Sequence, residues 1–263
     1  MENKFRANPY NFNNKHIQLD DIINIMNKLN INDFNTENID KYQKSFIHKS
    51  YCKLTDYSEY ENPGNGCMEL HEESYEIMEF LGDSILGSIV SSYIYSRFHE
   101  IYNQDEGFLT KLKIRLVCGE NLSVLSNDLG FSKFIIISKH IEDNCSGRQN
   151  QNILEDVLEA FIGALYLDKG YHKTEEFVIN LIEMYCDFTE IILKDNNYKD
   201  QISRYFQQTF NLYPKYKTEK YDDIFKSTIY NGERVVCIGE GVSKKKAEQD
   251  VSKKALIHFN VIT

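Results

Sequence analysis

Apolar residues recur at helical spacing through residues 20–193, and the period changes after that. Ile22, Ile23, Ile25, Met26 and Leu29 share one face of residues 20–29, and residues 39–48 give a second short helix. A polar stretch at 53–73, interrupted by Pro63-Gly64-Asn65-Gly66, predicts a loop. Residues 74–98 are apolar nearly all round (Ile77, Phe80, Leu81, Ile85, Ile89, Val90, Tyr93, Ile94), which predicts a central buried helix. Shorter helices are expected at 108–116 and 121–129. After a polar loop, Asn152 reads as an N-cap with Glu155 at the third helical position, in the manner of a capping box. Helices over 153–167 and 174–193 complete this part.

Beyond a short polar linker at 195–198, residues 199–210 read as a helix, and 215–220, 225–230 and 234–240 as strands. Residues 243–259 form a closing helix. Asn231-Gly232 is a hairpin signal between the second and third strands. The expected fold is mostly α: an all-helical domain over 17–194 and a small α-β-β-β-α domain over 199–263. The Asn-rich residues 1–16 are expected to be flexible.

Charge sharpens the division. The chain carries −10 overall, yet residues 196–263 hold 12 Lys and Arg against 8 Asp and Glu, a surplus of +4. The remainder holds 18 basic and 32 acidic groups, or −14. A basic tail on an acidic body assigns phosphate binding to the tail. The six cysteines are scattered with no Cys-x-x-Cys, which argues against a zinc site or a disulfide framework and fits a reducing compartment. No run of 18 apolar residues and no signal-peptide core are present, so a soluble, cytoplasmic protein is expected.

Two acidic patterns lie inside apolar sequence. Glu76, Glu79 and Asp83 fall at i, i+3 and i+7, and Asp156 and Glu159 at i and i+3, so each set lines one helical stripe. Carboxylates beside a core repel one another and lose hydration unless a cation compensates them. A hard cation with oxygen ligands, such as Mg²⁺, explains the pattern; a solvated amphipathic face is the plainer alternative.

The run EIMEFLGDS at 76–84 resembles the hallmark of the ribonuclease III catalytic domain, and the resemblance continues in order. Ser45-Phe46-Ile47-His48-Lys49-Ser50-Tyr51 is similar to an upstream family segment, KIRLVCGENL at 113–122 to its middle helix, and LEDVLEAFIGALYLD at 154–168 to its second acidic helix. The chain departs from the family in a longer polar insertion near 54–73 and in Tyr75, where Asn is common. The resemblance implies a metal-dependent endoribonuclease that hydrolyses double-stranded RNA to 5′-phosphate and 3′-hydroxyl ends with short 3′ overhangs. Glu79, Asp83, Asp156 and Glu159 would hold Mg²⁺, with Mn²⁺ able to substitute, and Glu76 would stand beside them in the catalytic set. Phe80 matches the residue that enters a socket on the partner of a homodimer. Lys113 and Arg115 would face RNA or balance the acids, with a structural role favoured. The alternative is a catalytically silent dimer that sequesters duplex RNA, which the intact carboxylates disfavour. No membrane and no small-molecule cofactor are implied.

The tail, closing on Lys244-Lys245-Lys246-Ala247-Glu248, resembles a double-stranded-RNA-binding domain. Lysines in the first turn of a helix oppose its dipole unless an anion binds there. Lys244, Lys245 and Lys246, with Lys199 and Arg204 on the first helix, are therefore the RNA-binding candidates. Ala247, Val251 and Ala255 form a small apolar stripe suited to packing on a sheet. The loop Tyr221-Asp222-Asp223-Ile224 lacks the family's usual Gly-Pro-x-His, and Arg204 stands where Glu is common.

Overall fold

The computed structural model describes residues 7–193 and 197–262, in two compact units, Met1–Ile191 and Ile192–Thr263. The first unit is helical: α1 (Leu19–Lys28), α2 (Ile39–Lys44), α3 (Glu76–Ile94), α4 (Glu106–Leu116), α5 (Gly119–Asp128), α6 (Lys139–Asn144) and α7 (Gln151–Tyr185), with α8 (Phe188–Leu193) running across its end. α3 continues through a widened turn, Tyr95–Glu100. Glu76–Glu100 is the one helix among the described residues that is long and apolar enough to cross a membrane by length and composition, yet it opens on an acidic stripe and packs along α7.

Local chemistry sets the helix ends. Asp105 accepts from the Phe108 N–H at 2.8 Å to start α4, and Ser138 caps α6. The cap of α7 is Asn150, which accepts from the Asn152 and Ile153 N–H groups, and not Asn152, the expected one. The helix thus begins two residues before the apolar periodicity does, because polar Gln151 and Asn152 fill its first turn. α7 is broken at Gly170, whose φ of 76° and ψ of −176° are open to glycine. Just before that break, Asp168 accepts from Asn38 and from the Tyr42 hydroxyl, which ties α2 to α7. Where one helix was expected to reach residue 193, the chain leaves the helix at Cys186 and restarts as α8.

The core centres on Phe161 of α7, whose ring meets Tyr42, Phe131 and Phe177 at centroid distances of 5.4, 4.9 and 5.4 Å. Ile89 and Val90 of α3 and Leu158, Ile162 and Leu165 of α7 are fully buried around it. The outer side of α3 differs from the expected all-round burial: Ile77 is 79 % and Phe80 75 % exposed.

Residues 7–16 are not loose, as had been expected of 1–16. Buried Asn11 donates to the Ile137 carbonyl at 3.1 Å and to Glu142, and Asn14 exchanges hydrogen bonds with Ile137. The many asparagines here are docking groups; residues 1–6 lie outside the described residues. The 53–73 loop is likewise pinned, by the Tyr51 hydroxyl on the Met68 carbonyl at 2.8 Å and by backbone bonds between His71 and both Tyr51 and Lys53.

The second unit is α9 (Tyr198–Phe210), β1 (Lys215–Tyr221), β2 (Ile224–Asn231), β3 (Arg234–Gly241) and α10 (Lys244–His258), with an antiparallel sheet in the order β1-β2-β3. α9 takes in Tyr198 from the expected linker, whose residues 195 and 196 lie outside the described residues. Asn231 ends β2 paired with Arg234, so the second turn is Gly232-Glu233, one residue later than the Asn-Gly signal suggested. Ile202, Phe206, Ile229, Val251, Ala255 and Leu256 form the core. Ala247, Val251 and Ala255 are fully buried, and α10 lies directly on β3 because Gly239 and Gly241 carry no side chain: a Cβ there would stand 2.3 Å from the Val251 nitrogen and 2.5 Å from that of Ala247.

Candidate active site

α3 and α7 cross where neither carries a side chain. A Cβ at Gly82 would stand 1.8 Å from the Glu159 carbonyl oxygen, and one at Gly163 would stand 2.3 Å from that of Met78. Main chains in contact put the two acidic stripes face to face. Glu79 of α3 and Asp156 and Glu159 of α7 each offer a carboxylate oxygen within 4.8 Å of the others. Glu159 is 7 % exposed, and Glu79 and Asp156 are half-buried.

The electrostatics are those of an undercompensated cluster. Burial, then the charges of Asp156, Glu76 and Asp83, raises the Glu79 carboxyl above its ordinary value. Asp156 is raised by burial against the opposing Tyr75 hydrogen bond and Lys49 charge. Glu159 is pushed up to about 8 by burial and then by Asp83, Glu155, Glu79 and Asp156. Lys49 offsets the group only in part, because its Nζ is paired with Glu76 at 2.9 Å. The donor set suits a hard divalent cation: oxygens bound at about 2.0–2.1 Å in an octahedron lie about 3–4 Å apart, inside the observed span.

The other expected members stand around this trio. Asp83, one turn further along α3, is exposed and lies outside the 4.8 Å group, though its charge acts on Glu79 and Glu159. Glu76 is turned to Lys49 and Ser74, and the Lys49 bond holds its carboxyl below the ordinary range. Arg115 donates to the Ile191 carbonyl at 2.6 Å, a structural role. Tyr75, noticed in the sequence only as a departure, donates its hydroxyl to Asp156 Oδ2 at 2.9 Å. Glu155, expected as the acid of a capping box with Asn152, instead places its carboxylate beside Gly119 at the start of α5. Neither has a signature in sequence spacing, since both contacts bridge distant segments.

In the second unit Lys244, Lys245 and Lys246 are exposed in the first turn of α10, whose cap Ser243 accepts from the Lys246 N–H. None of the three has an ion pair among the described residues. Lys199 is differently placed: its Nζ bonds buried Glu248 at 2.6 Å and lies 4.9 Å from the Tyr216 ring centre. Arg204 pairs with Asp200 at 3.0 Å. β1 and β2 are joined by only Asp222 and Asp223, with Tyr221 paired to Ile224.

A family profile described as Ribonuclease-III-like matches residues 40–185. The chain belongs to the ribonuclease III family. A second profile, Double-stranded RNA binding motif, matches residues 198–258. Among curated relatives, a "Probable ribonuclease 3" of Acanthamoeba polyphaga mimivirus is 38% identical over 85% of this chain, which spans 43% of that protein's length. "Ribonuclease 3" of Borreliella burgdorferi is 32% identical over 85% of this chain and 88% of its own. A solved nuclease domain of ribonuclease III from Campylobacter jejuni aligns at 28% identity and a TM-score of 0.49, over 62% of this chain and 96% of that one.

As a ribonuclease III, this chain is a double-stranded-RNA-specific endoribonuclease with its RNA-binding motif in the second unit. The family is metal-dependent, and the acidic cluster at the α3–α7 crossing is where this member gathers its carboxylates.

Proposed function

We propose that the α3–α7 crossing is the hydrolytic centre, and that Glu79, Asp156 and Glu159 hold a Mg²⁺ ion there, with Mn²⁺ able to replace it. The observation that carries this reading is the convergence of three carboxylate oxygens from two helices within 4.8 Å, in a partly buried setting that raises all three carboxyls above their ordinary values. When bound, such an ion supplies Lewis acidity to the scissile phosphate, acidifies a water and stabilises the leaving 3′ oxygen. Asp83 stands at the open side of the trio, completes the ligand set and orients water. Glu76, held by Lys49, borders the site and keeps that lysine near the incoming phosphate. The products are 5′-phosphate and 3′-hydroxyl ends.

Two such centres work as a homodimer, each cutting one strand to leave a short 3′ overhang, and exposed Phe80 and Ile77 on α3 form the contact. Lys244, Lys245 and Lys246 bind duplex phosphates in concert with the free N–H groups of α10. The two-residue β1–β2 turn presents Asp222 and Asp223 where the family's usual Gly-Pro-x-His is missing, so α10 carries most of this unit's grip. The setting is the cytoplasm.

Cleavage of long duplex RNA with Mg²⁺ by the wild type, Glu79→Gln and Asp83→Asn, with mapping of the ends, tests the reading. Loss of about 100-fold or more in both variants is expected for groups that hold the ion. Equal cleavage by all three, or duplex binding without cleavage by the wild type, overturns it; the second result is that of a sequestering dimer.

A further inference from the structure

Tyr75 is the residue at which this chain departs from its family's usual Asn, and it is nearly fully buried at the start of α3. Its phenol spans from there to α7 and donates to Asp156 Oδ2 at 2.9 Å, joining residues 81 apart in sequence. The ring is held on its other side. The Tyr75 N–H donates to the Ile47 carbonyl at 2.9 Å, and the ring packs on His48 at a centroid distance of 5.9 Å. His48 is fixed in turn: its N–H donates to the Ile136 carbonyl, and Nδ1 lies 2.8 Å from Ser50 Oγ and accepts from the Ser50 N–H at 3.2 Å. Ser50 Oγ accepts from the buried Ser138 N–H at 3.0 Å. Each member of this series is anchored by the next, so the tyrosine has no room to choose another rotamer.

We propose that Tyr75 is a positioning residue for the metal centre. Its hydroxyl engages Asp156 Oδ2 and thereby leaves Oδ1 for the cation, while the 47–50 segment holds the phenol in place. Groups that hydrogen-bond a ligating carboxylate orient it, and their loss typically weakens metal binding by about 10–100-fold. The inference rests on the metal reading above and adds the requirement for this particular oxygen-to-phenol bond.

The same molecule contains its own control. Tyr42 is equally buried and donates to Asp168 Oδ2 at the same 2.9 Å, but Asp168 is no part of the acidic trio. The test is Mn²⁺ binding, followed by the electron paramagnetic resonance of free Mn²⁺, in the wild type, Tyr75→Phe and Tyr42→Phe, with melting temperatures recorded for all three. Tyr75→Phe is expected to bind Mn²⁺ at least about tenfold more weakly, and Tyr42→Phe to stay within about twofold of wild type at a comparable loss of thermal stability. Cleavage by Tyr75→Phe should approach the wild-type maximum when Mn²⁺ is saturating, so the defect lies in metal affinity and not in turnover. Unchanged Mn²⁺ affinity in Tyr75→Phe, or an equal loss in Tyr42→Phe, overturns the proposal while the metal reading stands. Failure of the wild type to bind Mn²⁺ overturns both.

Discussion

Glu159→Gln keeps the shape of the side chain and removes its charge, and the two proteins should diverge in stability as pH rises. An ordinary glutamate in the unfolded chain titrates at 4.5, whereas Glu159 in the fold is pushed up to about 8. Below the unfolded value both states are protonated and the folded state bears no penalty. Between about 4.5 and 8 the unfolded chain releases a proton that the folded chain keeps, so wild-type stability falls across this window and is lowest above it. At about 1.4 kcal/mol per pKa unit the full penalty is at most about 5 kcal/mol. For a unit of this size each kcal/mol moves the melting temperature by about 2–4 °C, which sets a ceiling of about 10–20 °C. The assay is thermal unfolding of both proteins in EDTA from pH 5 to 8.5. Glu159→Gln should match the wild type near pH 5 and melt higher at pH 8. Added Mg²⁺ should then raise the wild type and leave the variant nearly unmoved. Parallel melting curves across the whole range would refute the claim that the α3–α7 crossing stores unneutralised charge.

The two sets of lysines in the second unit should separate cleanly. Replacing Lys244, Lys245 and Lys246 with alanine should lower the salt dependence of duplex RNA binding by about 2–3 in the log–log slope, measured by filter binding or fluorescence titration. Lys199→Ala should leave that slope unchanged and destabilise the unit by about 1–3 kcal/mol, because buried Glu248 loses its charged partner and keeps only the Thr218 hydroxyl; a fall in slope without a change in melting would contradict this. Phe80→Asp should shift the protein to monomer in sedimentation and change folding stability by no more than about 0.5 kcal/mol, since the ring is exposed within one chain. A dimer that persists in this variant would place the contact elsewhere.

Most elements were legible because their cause is local. Apolar spacing at Ile22, Ile25 and Met26, or alternation at Tyr216 and Thr218, states which face is buried. What was not legible depends on contacts between distant segments. The periodicity of α3 called for burial all round, but Ile77 and Phe80 face outward because α7 covers only one side. Sequence spacing placed Asp83 with Glu79 on one stripe and could not say that Glu79 alone of the two brings its carboxylate within 4.8 Å of Asp156 and Glu159. Lys199 looked like a phosphate ligand, and its commitment to Glu248 depends on α10 folding back over 49 residues. The asparagines near the start suggested mobility, yet their amides bond Ile137 and Glu142, more than 120 residues away.

The meeting of Gly82 and Gly163 bears on how such a chain can change over generations. The gap between the two rows of acids is not a sum of side-chain radii, because the backbones themselves are in contact. Leucine, isoleucine and methionine can trade places through the surrounding core without altering that gap. Widening it by degrees is closed off, since the smallest step, one methyl group at Gly82 or Gly163, meets a carbonyl oxygen at 1.8 or 2.3 Å. At this crossing even one added methyl is barred at both Gly82 and Gly163, and the barrier lies directly beneath the acids.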